Sequence, residues 1–558
     1  MAATLTQSAP TDLESRPLSI LDLGEDIFTF HLIKHLKDED VVSLFLTCKQ
    51  LYQSLNNSIV WQELLNNTFA NHSQRYPIPL QLQMKWPSLY SMRKNAQLFT
   101  WGSNESSRLG TPYVPETNYE MVPGLRIPKR MKSAYQLKLT TDMSNRTTNF
   151  RGCFQTTGDV DCAGCRDNQR ADIIDISGGG FSFQILTSLG ELYYTGKSYM
   201  GTLDHAAPGP QREEILESTN YQSRSSRMNG IPLQFQNMNT MNRVVTSDSD
   251  YGEAHFVEMS SGRSHFIALD ENRKDVWTWD DKRQSKKGVK LNLINPVSRV
   301  SLINDENRIC KIRAGWGLSS CLIRNVGIVV WNTRSGINHQ QGAKCVFGPV
   351  DSSVTIIENT NQDRIADYVV LSGYIVYITY SGELFKVEIK NDDVGVRSYI
   401  PNGVKLNEFH KFADKHSSSQ LPSSSSFVRV FGDNNKFAVT TNNDQVLFGN
   451  VCDEACHPLI YPELQHQSIV SISMGDHHYM ALNSQGEVFS WGKELRTNGC
   501  LGNLGLLDDI MKSGVGHLED NNATLVIERP TKIGLPNDNG VVLGIAAGGW
   551  HSAALVGC

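Results

Sequence analysis

The chain has 558 residues, of which 39% are hydrophobic and 20% are charged, values typical of a folded, soluble protein. Its net charge of −6 argues against a protein that wraps DNA or coats an anionic membrane, because both functions need a basic surface. No signal peptide and no apolar run of membrane-spanning length is found, so the 11 cysteines are expected to be reduced thiols.

Residues 1–17 are polar and are expected to form a flexible tail. Residues 18–65 follow with apolar residues at helical spacing, which predicts three short helices. Asp38 is placed to begin the second helix, and Trp61 belongs to the third. Such a small unit buries little surface, so part of its apolar surface is expected to contact another domain or another protein. Residues 66–97, interrupted by prolines, are expected to be a linker.

Within the helical segment, apolar residues and a tryptophan follow one another in the order Leu18, Leu23, Ile27, Leu36, Val41, Leu44, Cys48 and Trp61. This order resembles the F-box, a three-helix motif that docks on a Skp-type adaptor and so joins a cullin-based ubiquitin ligase. The resemblance implies that these eight residues are adaptor interface or supporting core. One departure is Gly24, which stands where the family has a proline that pre-shapes the turn. An ordinary small helical bundle is the alternative.

From residue 98 onward one sequence pattern recurs seven times. Each copy has an apolar strand, a small-residue turn, a second apolar strand, a further turn and a third strand. The copies begin near Ile173, Phe256, Ile309, Asp367, Phe427, Ile469 and Val541. The last copy lacks its third strand, and residues 98–102 supply a matching one near the other end of the chain. Residues 98–558 are therefore expected to form a seven-bladed β-propeller, mainly β in class, in which strand 98–102 joins strands 541–556 and closes the ring.

The pattern is clearest in residues 469–492, where His478 follows Gly475 by three positions. It resembles the regulator-of-chromosome-condensation repeat. Only His265, His478 and His551 are histidine at this position of the repeat. A metal ring would need more ligands, so these histidines are expected to make structural hydrogen bonds between blades.

Long insertions enter the repeat at one phase, after the third strand. They span roughly 103–172, 197–254, 388–426 and 493–540. Equivalent points of a propeller repeat lie at related places around the disc, so the insertions are expected to crowd one side or rim. They are either a recognition surface or tolerated expansions of the fold.

The motifs predict no catalytic, metal or cofactor site. Cys162 and Cys165, with Cys153 nearby, have half the spacing of a zinc site, and Cys452-x-x-x-Cys456-His457 is another fragment. Neither has a second pair at normal spacing, so free cysteines in loops are expected.

The two-part layout is similar to the SCF-associated factor type of F-box protein. The resemblance implies a non-catalytic subunit in the cytoplasm or the nucleus. Its helices would hold a Skp-type adaptor and through it a cullin. Its propeller would capture a protein substrate for ubiquitination and proteasomal degradation, without nucleic acid or membrane. The substrate-binding residues are not identified by the sequence.

Three alternatives stay open. The first is a guanine-nucleotide exchange factor for a small GTPase, an activity that some members of the repeat family have. The second is a chromatin-docking propeller, which the net charge disfavours. The third is a scaffold independent of any ligase, in which the helices only brace the propeller.

Overall fold

The computed structural model describes part of the chain. The described residues are 25–27, 31–36, 38–75, 85–103, 109, 119–121, 128–136, 139–140, 147–148, 172–194, 242–243, 254–279, 289–333, 350–358, 363–400, 403–415, 425–453, 456–495, 499–502, 511–521, 523–534 and 540–557. They belong to two compact units. The helical unit comprises Met1–Ala70 and Met84–Ser91, and the strand unit comprises Asn71–Gln83 and Met92–Cys558.

The helices near the start of the chain are α1 (Glu25–Ile27), α2 (Asp38–Thr47), α3 (Lys49–Leu55), α4 (Ser58–Arg75) and α5 (Trp86–Lys94), with a 3-10 turn at Ile33–His35. The side chain of Asn57 caps α4, because its Oδ1 accepts a hydrogen bond from the backbone N–H of Val60 at 2.9 Å.

Two helices extend into residues 66–97, the segment expected to be a linker. Residues 66–75 continue α4, since no proline occurs between Ser58 and Pro77. Residues 86–94 form α5, in which Pro87 lies in the first turn. Proline is tolerated there because the first N–H groups of a helix have no intrahelical partner.

The strand unit begins with β1 (Gln97–Ser103), β2 (Tyr119–Met121) and β3 (Pro128–Gln136), followed by a separate pair, β4 (Leu139–Thr140) and β5 (Thr147–Thr148). Blade 1 contains β6 (Ile173–Gly178), β7 (Phe183–Thr187), β8 (Leu192–Tyr194) and β9 (Asn242–Arg243). Blade 2 contains β10 (Phe256–Ser261), β11 (Phe266–Asp270), β12 (Val276–Trp279), β13 (Val289–Ile294) and β17 (Val350–Ser353).

Blade 3 contains β14 (Ile309–Ala314), β15 (Leu318–Ile323), β16 (Gly327–Asn332), β18 (Thr355–Glu358) and β22 (Tyr399–Ile400). Blade 4 contains β19 (Ile365–Val370), β20 (Tyr374–Thr379), β21 (Leu384–Glu388) and β23 (Val404–Lys405). Blade 5 contains β24 (Phe427–Asp433), β25 (Lys436–Thr441) and β26 (Val446–Asn450). Helix α6 (Asn407–Lys415) lies between blades 4 and 5 in sequence, and two 3-10 turns occur at Asn391–Asp393 and Pro462–Leu464.

Blade 6 contains β27 (Ile469–Met474), β28 (His478–Asn483), β29 (Val488–Leu495), β30 (Gly516–Glu519) and β31 (Thr524–Lys532). Blade 7 combines β32 (Val541–Gly548) and β33 (His551–Gly557) with β1, β3 and β2. The first strands of successive blades contact one another all the way round, and β32 of blade 7 contacts β6 of blade 1. The expected fold, a mainly β protein with a seven-bladed propeller, is confirmed.

Blade 7 is built from both ends of the strand unit. β1 pairs antiparallel with β33, from Gln97 opposite Val556 to Gly102 opposite His551. Trp101 on β1 is fully buried, and its Nε1 donates to the carbonyl oxygen of Cys500 at 2.9 Å. The hydroxyl of Ser552 on β33 donates to the same carbonyl, also at 2.9 Å. Cys500 belongs to the insertion at 493–540, so this insertion holds the two closing strands together.

The repeated glycines allow the blades to approach one another closely. A Cβ atom placed on Gly179 would lie 2.8 Å from the carbonyl oxygen of Gly262 in the next blade. A Cβ on Gly262, Gly475 or Gly548 would likewise come within 3.0 Å of the carbonyl of the following repeat glycine. At these four positions glycine is therefore required by packing between blades, because any larger side chain would meet backbone.

Candidate interaction surfaces

The helical unit forms a small apolar core. Val41 is fully buried and Phe45, one turn further along α2, is 7% exposed. The ring of Trp61 on α4 lies 5.6 Å from that of Phe45 and 5.5 Å from that of Tyr90 on α5, between centroids. The Nε1 of Trp61 donates to Asn56 Oδ1 at 2.8 Å. Trp61 therefore supports the core of this unit.

The residues expected to dock the adaptor lie in different environments. Val41 is buried, and Leu36, Leu44 and Trp61 are half-buried. Ile27 and Cys48 are exposed. Leu18 and Leu23 lie outside the described residues. Cys48 also caps α3, since its Sγ accepts a hydrogen bond from the backbone N–H of Leu51 at 3.5 Å. Their role in docking remains a prediction.

The structure adds exposed apolar residues that the sequence analysis did not select. Leu46 is 80% exposed and Val42 is 40% exposed. They lie four positions apart on α2 and hence on one face of that helix, which we name the α2 apolar stripe. Tyr52 and Ile59 of the same unit are each 50% exposed. The sequence did contain one indication of these exposed residues, because α2 has more large apolar residues than a single buried face requires.

The channel of the propeller is lined by the first strand of each blade. A local irregularity in strand pairing follows the first paired residue of this strand in blades 1 to 6 and the second paired residue in blade 7. The next paired residue is charged in five blades, and we name this set the charged belt: Asp175, Glu258, Lys311, Asp367 and Arg429. The belt was not predicted from the sequence, although its positions are in phase with the repeat.

The charged belt links neighbouring blades. Lys311 of blade 3 forms an ion pair with Asp367 of blade 4, and Arg313 forms one with Glu258 at 3.2 Å. Asp367 also accepts a hydrogen bond from the backbone N–H of Val430, in blade 5, at 3.2 Å. These contacts hold successive inner strands side by side around the channel.

The two charges at the centre of the belt influence each other. Burial lowers the pKa of Lys311 to about 8, with a further contribution from the charge of Arg313. Burial acts to raise the pKa of Asp367, but Lys311 and Arg313 outweigh it, so this pKa lies below its ordinary value. Both groups are therefore mainly charged at neutral pH.

The channel opens at the glycine turns into a cavity of about 150 Å³. At its rim the guanidinium of Arg263 lies 3.9 Å from the ring centroid of Trp316 and 5.8 Å from that of Phe181. Burial and the neighbouring carboxylate of Asp476 raise the pKa of Asp433 to about 6. This mouth of the channel therefore combines aromatic, cationic and anionic groups in a small space.

The opposite end of the channel opens into a larger cavity of about 1030 Å³. Its lining includes a set of arginines that we name the arginine mouth: Arg273, Arg308, Arg324, Arg364 and Arg429. Tyr380 and Val428 also line it and are 76% and 50% exposed. This grouping was not predicted from the sequence, because its arginines come from four blades.

The interpretation of the repeat histidines as structural is confirmed for two of them. Nε2 of His478 lies 2.8 Å from the hydroxyl oxygen of Ser552 in the next blade. Nε2 of His551 lies 3.2 Å from the carbonyl oxygen of Ser182 in blade 1, to which it donates. Both rings are fully buried.

The cysteine fragments show no metal arrangement in the part of the chain that the structure describes. Cys452 is exposed and Cys456 is buried, both as free thiols. No group of three or more His, Cys, Asp or Glu side chains placed to bind a metal occurs among the described residues. Cys153, Cys162 and Cys165 lie outside them.

Comparison with known proteins supports both parts of the layout. The family model of the regulator of chromosome condensation (RCC1) repeat matches residues 469–500 and 485–555. SCF-associated factor 1 of Saccharomyces cerevisiae is 25% identical, covering 93% of this chain and 95% of that protein. The resemblance to F-box proteins with a regulator-of-chromosome-condensation-like propeller is confirmed. F-box protein pof9 of Schizosaccharomyces pombe is 28% identical over 46% of this chain and 52% of its own length.

Solved structures of similar proteins include Prp20p from Saccharomyces cerevisiae. It is 12% identical, with a TM-score of 0.48, covering 83% of this chain and 92% of that one. Among the described helices, none has the length and apolar character needed to cross a membrane.

Proposed function

We propose that this chain is the substrate-recognition subunit of an SCF-type cullin ubiquitin ligase. In this proposal the helical unit binds a Skp-type adaptor and through it a cullin, and the propeller binds a target protein for ubiquitination and degradation. The protein acts in the cytoplasm or the nucleus and makes no covalent bond itself.

The observation that carries the proposal is the α2 apolar stripe. Exposed apolar side chains that lie together on one helix face, as Val42 and Leu46 do, favour a partner that covers them. The F-box resemblance of the same segment supports a Skp-type adaptor as that partner. The names of the two relatives, SCF-associated factor 1 and F-box protein pof9, agree with this assignment.

The proposed mechanism is tethering. A target held on the propeller places its lysines beside a ubiquitin-charged component of the ligase. Tethering of this kind raises the effective concentration of one group near another to the millimolar range when the spacing is well matched. No catalytic cysteine is required of this chain.

The stripe gives a direct test. Leu46→Glu introduces a charge where an apolar contact is expected, so the affinity for a purified Skp-type adaptor should fall at least about ten-fold, the equivalent of about 1.4 kcal/mol. Titration calorimetry with the full chain measures the affinity. Leu46 is a better choice than Trp61, because replacing Trp61 would also remove ring contacts from the core of the helical unit.

The matched control is Val404→Glu, which replaces an apolar residue that is 71% exposed in blade 4. It should bind the adaptor as the unmodified chain does. Equal affinity of both variants for the adaptor, or no binding by the unmodified chain, would rule out the proposal.

A guanine-nucleotide exchange factor for a small GTPase is the second candidate, favoured by the repeat matches at 469–500 and 485–555. Release of a labelled nucleotide from GTPases mixed with the purified chain distinguishes it. Exchange activity that Leu46→Glu leaves unchanged, together with no adaptor binding, would favour this second candidate.

A further inference from the structure

The arginine mouth lies at the end of the channel where the inner strands begin. Arg308 and Arg364 precede β14 and β19, and Arg273 and Arg324 lie in the turns after β11 and β15. These turns and strand starts lie on one side of the disc, so arginines from separate blades line a single cavity of about 1030 Å³. The cavity is large enough for several residues of a peptide.

The acidic groups deeper in the channel are engaged with other partners. Asp367 pairs with Lys311, and Glu258 pairs with Arg313 at 3.2 Å. At the rim, Asp305 pairs with Lys274. Three of the five carboxylates that line this cavity therefore pair with cations outside the arginine mouth, although Asp305 also lies within the electrostatic reach of Arg308.

Two arginines of the mouth, Arg308 and Arg364, are exposed to solvent, and two others donate to backbone carbonyl oxygens. Arg273 donates to the carbonyl oxygen of Cys310 at 3.2 Å, and Arg429 donates to that of Val470 at 3.1 Å. Arg364 is exposed, and its guanidinium makes no hydrogen bond or ion pair with any residue that the structure describes. A cluster of guanidinium groups raises the local potential, although the whole chain carries a net charge of −6.

Exposed apolar side chains accompany these cations. Tyr380 and Val428 lie at the same cavity, 76% and 50% exposed. Arginine and tyrosine are the residue types enriched at the energetic centres of protein interfaces. A site for a small inorganic anion would need no such apolar surface, whereas a peptide has side chains that can cover it.

We propose that the arginine mouth binds an acidic segment of the target protein, in which carboxylate side chains accept hydrogen bonds from Arg308 and Arg364 and an apolar side chain covers Tyr380. The proposal rests on the proposed function, because it names the chemistry by which the propeller would recognise its target. Guanidinium groups suit this role, since each presents a planar fork of donors that matches a carboxylate.

The test uses the full chain and a short fluorescein-labelled peptide in which Glu and Asp alternate with Ala and Leu. Fluorescence anisotropy should show binding of this peptide and much weaker binding of its Gln and Asn analogue. Binding should weaken as salt rises from about 0.1 M to about 1 M, where the screening length falls from about 10 Å to about 3 Å. The double variant Arg308→Glu with Arg364→Glu should lose at least about ten-fold in affinity, because it removes two charge-assisted hydrogen bonds and adds two like charges beside the acidic peptide.

The matched control is the double variant Arg397→Glu with Arg529→Glu. These arginines are 64% and 74% exposed and lie outside the cavity. It should bind the acidic peptide as the unmodified chain does. Equal binding of the acidic and amide peptides, equal losses in both double variants, or stronger binding of a single-stranded nucleic acid than of the peptide would overturn the proposal.

The two proposals can fail separately. Adaptor binding that depends on Leu46, together with no affinity for the acidic peptide, leaves the ligase role intact and removes the acidic segment. Peptide binding that depends on Arg308 and Arg364, together with no adaptor binding, leaves a peptide-binding propeller and removes the ligase role.

Discussion

The hydroxyl of Ser552 determines which nitrogen of His478 carries a proton. Ser552 donates its single hydrogen to the carbonyl oxygen of Cys500 at 2.9 Å. Its oxygen is therefore an acceptor toward Nε2 of His478, 2.8 Å away, and Nε2 carries the proton. Nδ1 has no hydrogen-bond partner among the described residues. A second proton on this ring would be buried without an acceptor.

This environment predicts a dependence of stability on pH. Burial lowers the pKa of His478 to about 3, with a smaller contribution from His477. Below the ordinary histidine pKa of about 6.5 the unfolded chain takes up a proton that the folded chain refuses, so the free energy of unfolding falls as the pH falls. Between pH 6.5 and pH 5 this one group should cost on the order of 2 kcal/mol.

The measurement is urea unfolding at neutral pH and at pH 5, followed by tryptophan fluorescence. His478→Gln retains a donor but cannot titrate, so its loss of stability on acidification should be smaller than that of the unmodified chain. The control His457→Gln replaces an exposed histidine and should keep the unmodified slope. An unchanged slope for His478→Gln would contradict this account.

At the scale of elements, the spacing between blades depends on glycine. A Cβ atom on Gly548 would come within 3.0 Å of the carbonyl oxygen of Gly179 in blade 1. Blade 4 shows how the repeat accommodates a larger residue. There Leu371 replaces the glycine and is buried, and Gly432 of blade 5 leaves room for its Cδ2, which lies 2.8 Å from the Cβ position of that glycine.

Gly548→Ala should therefore destabilise the propeller. The added methyl group meets backbone that cannot rotate away, and overpacking of this kind costs about 1–3 kcal/mol. Gly534→Ala is the matched control, because a Cβ at Gly534 would have no atom within 4 Å. Urea unfolding should separate the two variants, and equal midpoints would show that the blades can move apart to accept the methyl group.

At the scale of the whole molecule, ring closure depends on β1, a short strand that precedes blades 1 to 6 in the sequence. Trp101→Ala removes a fully buried side chain and the hydrogen bond from its Nε1 to Cys500. Large-to-small changes of this kind cost about 3–5 kcal/mol. Because the Trp101 side chain anchors β1 beside β33, amide hydrogen exchange should accelerate at residues 97–103 and 551–557 first.

Trp316→Ala is the control for this experiment. Trp316 is half-buried at the rim of the channel and stacks on Arg263. Its replacement should leave exchange at β1 and β33 unchanged. Uniformly faster exchange in all blades of the Trp101 variant would mean that the β1–β33 pair does not open separately from the rest of the ring.

Most of the ring could be predicted from the sequence, because each blade repeats the same turn. Strands begin at Ile173, Phe256 and Ile309 as expected, since the turn after each one is marked by a glycine that packing requires. The extent of the helices could not be predicted as well. The prolines within residues 66–97 favour a linker there, and they do not reveal that α4 continues as far as Arg75.

The interaction surfaces were harder to predict than the ring. Helical periodicity identifies the buried face of α2 through Val41 and Phe45, but it does not show which of the remaining apolar residues stay exposed, as Leu46 does. The arginine mouth depends on which blades are neighbours and on which end of each strand faces which cavity. That information becomes available only once the ring is closed.

The pairing of β1 with β33 in blade 7 also constrains the order of events during synthesis. Trp101 leaves the ribosome long before its partner Cys500, which is 399 positions later in the chain. At about 5–20 residues per second, β1 waits for roughly 20–80 s with an unpaired edge. During that interval the nascent protein exposes a strand rich in apolar residues, which makes it a candidate for chaperone binding.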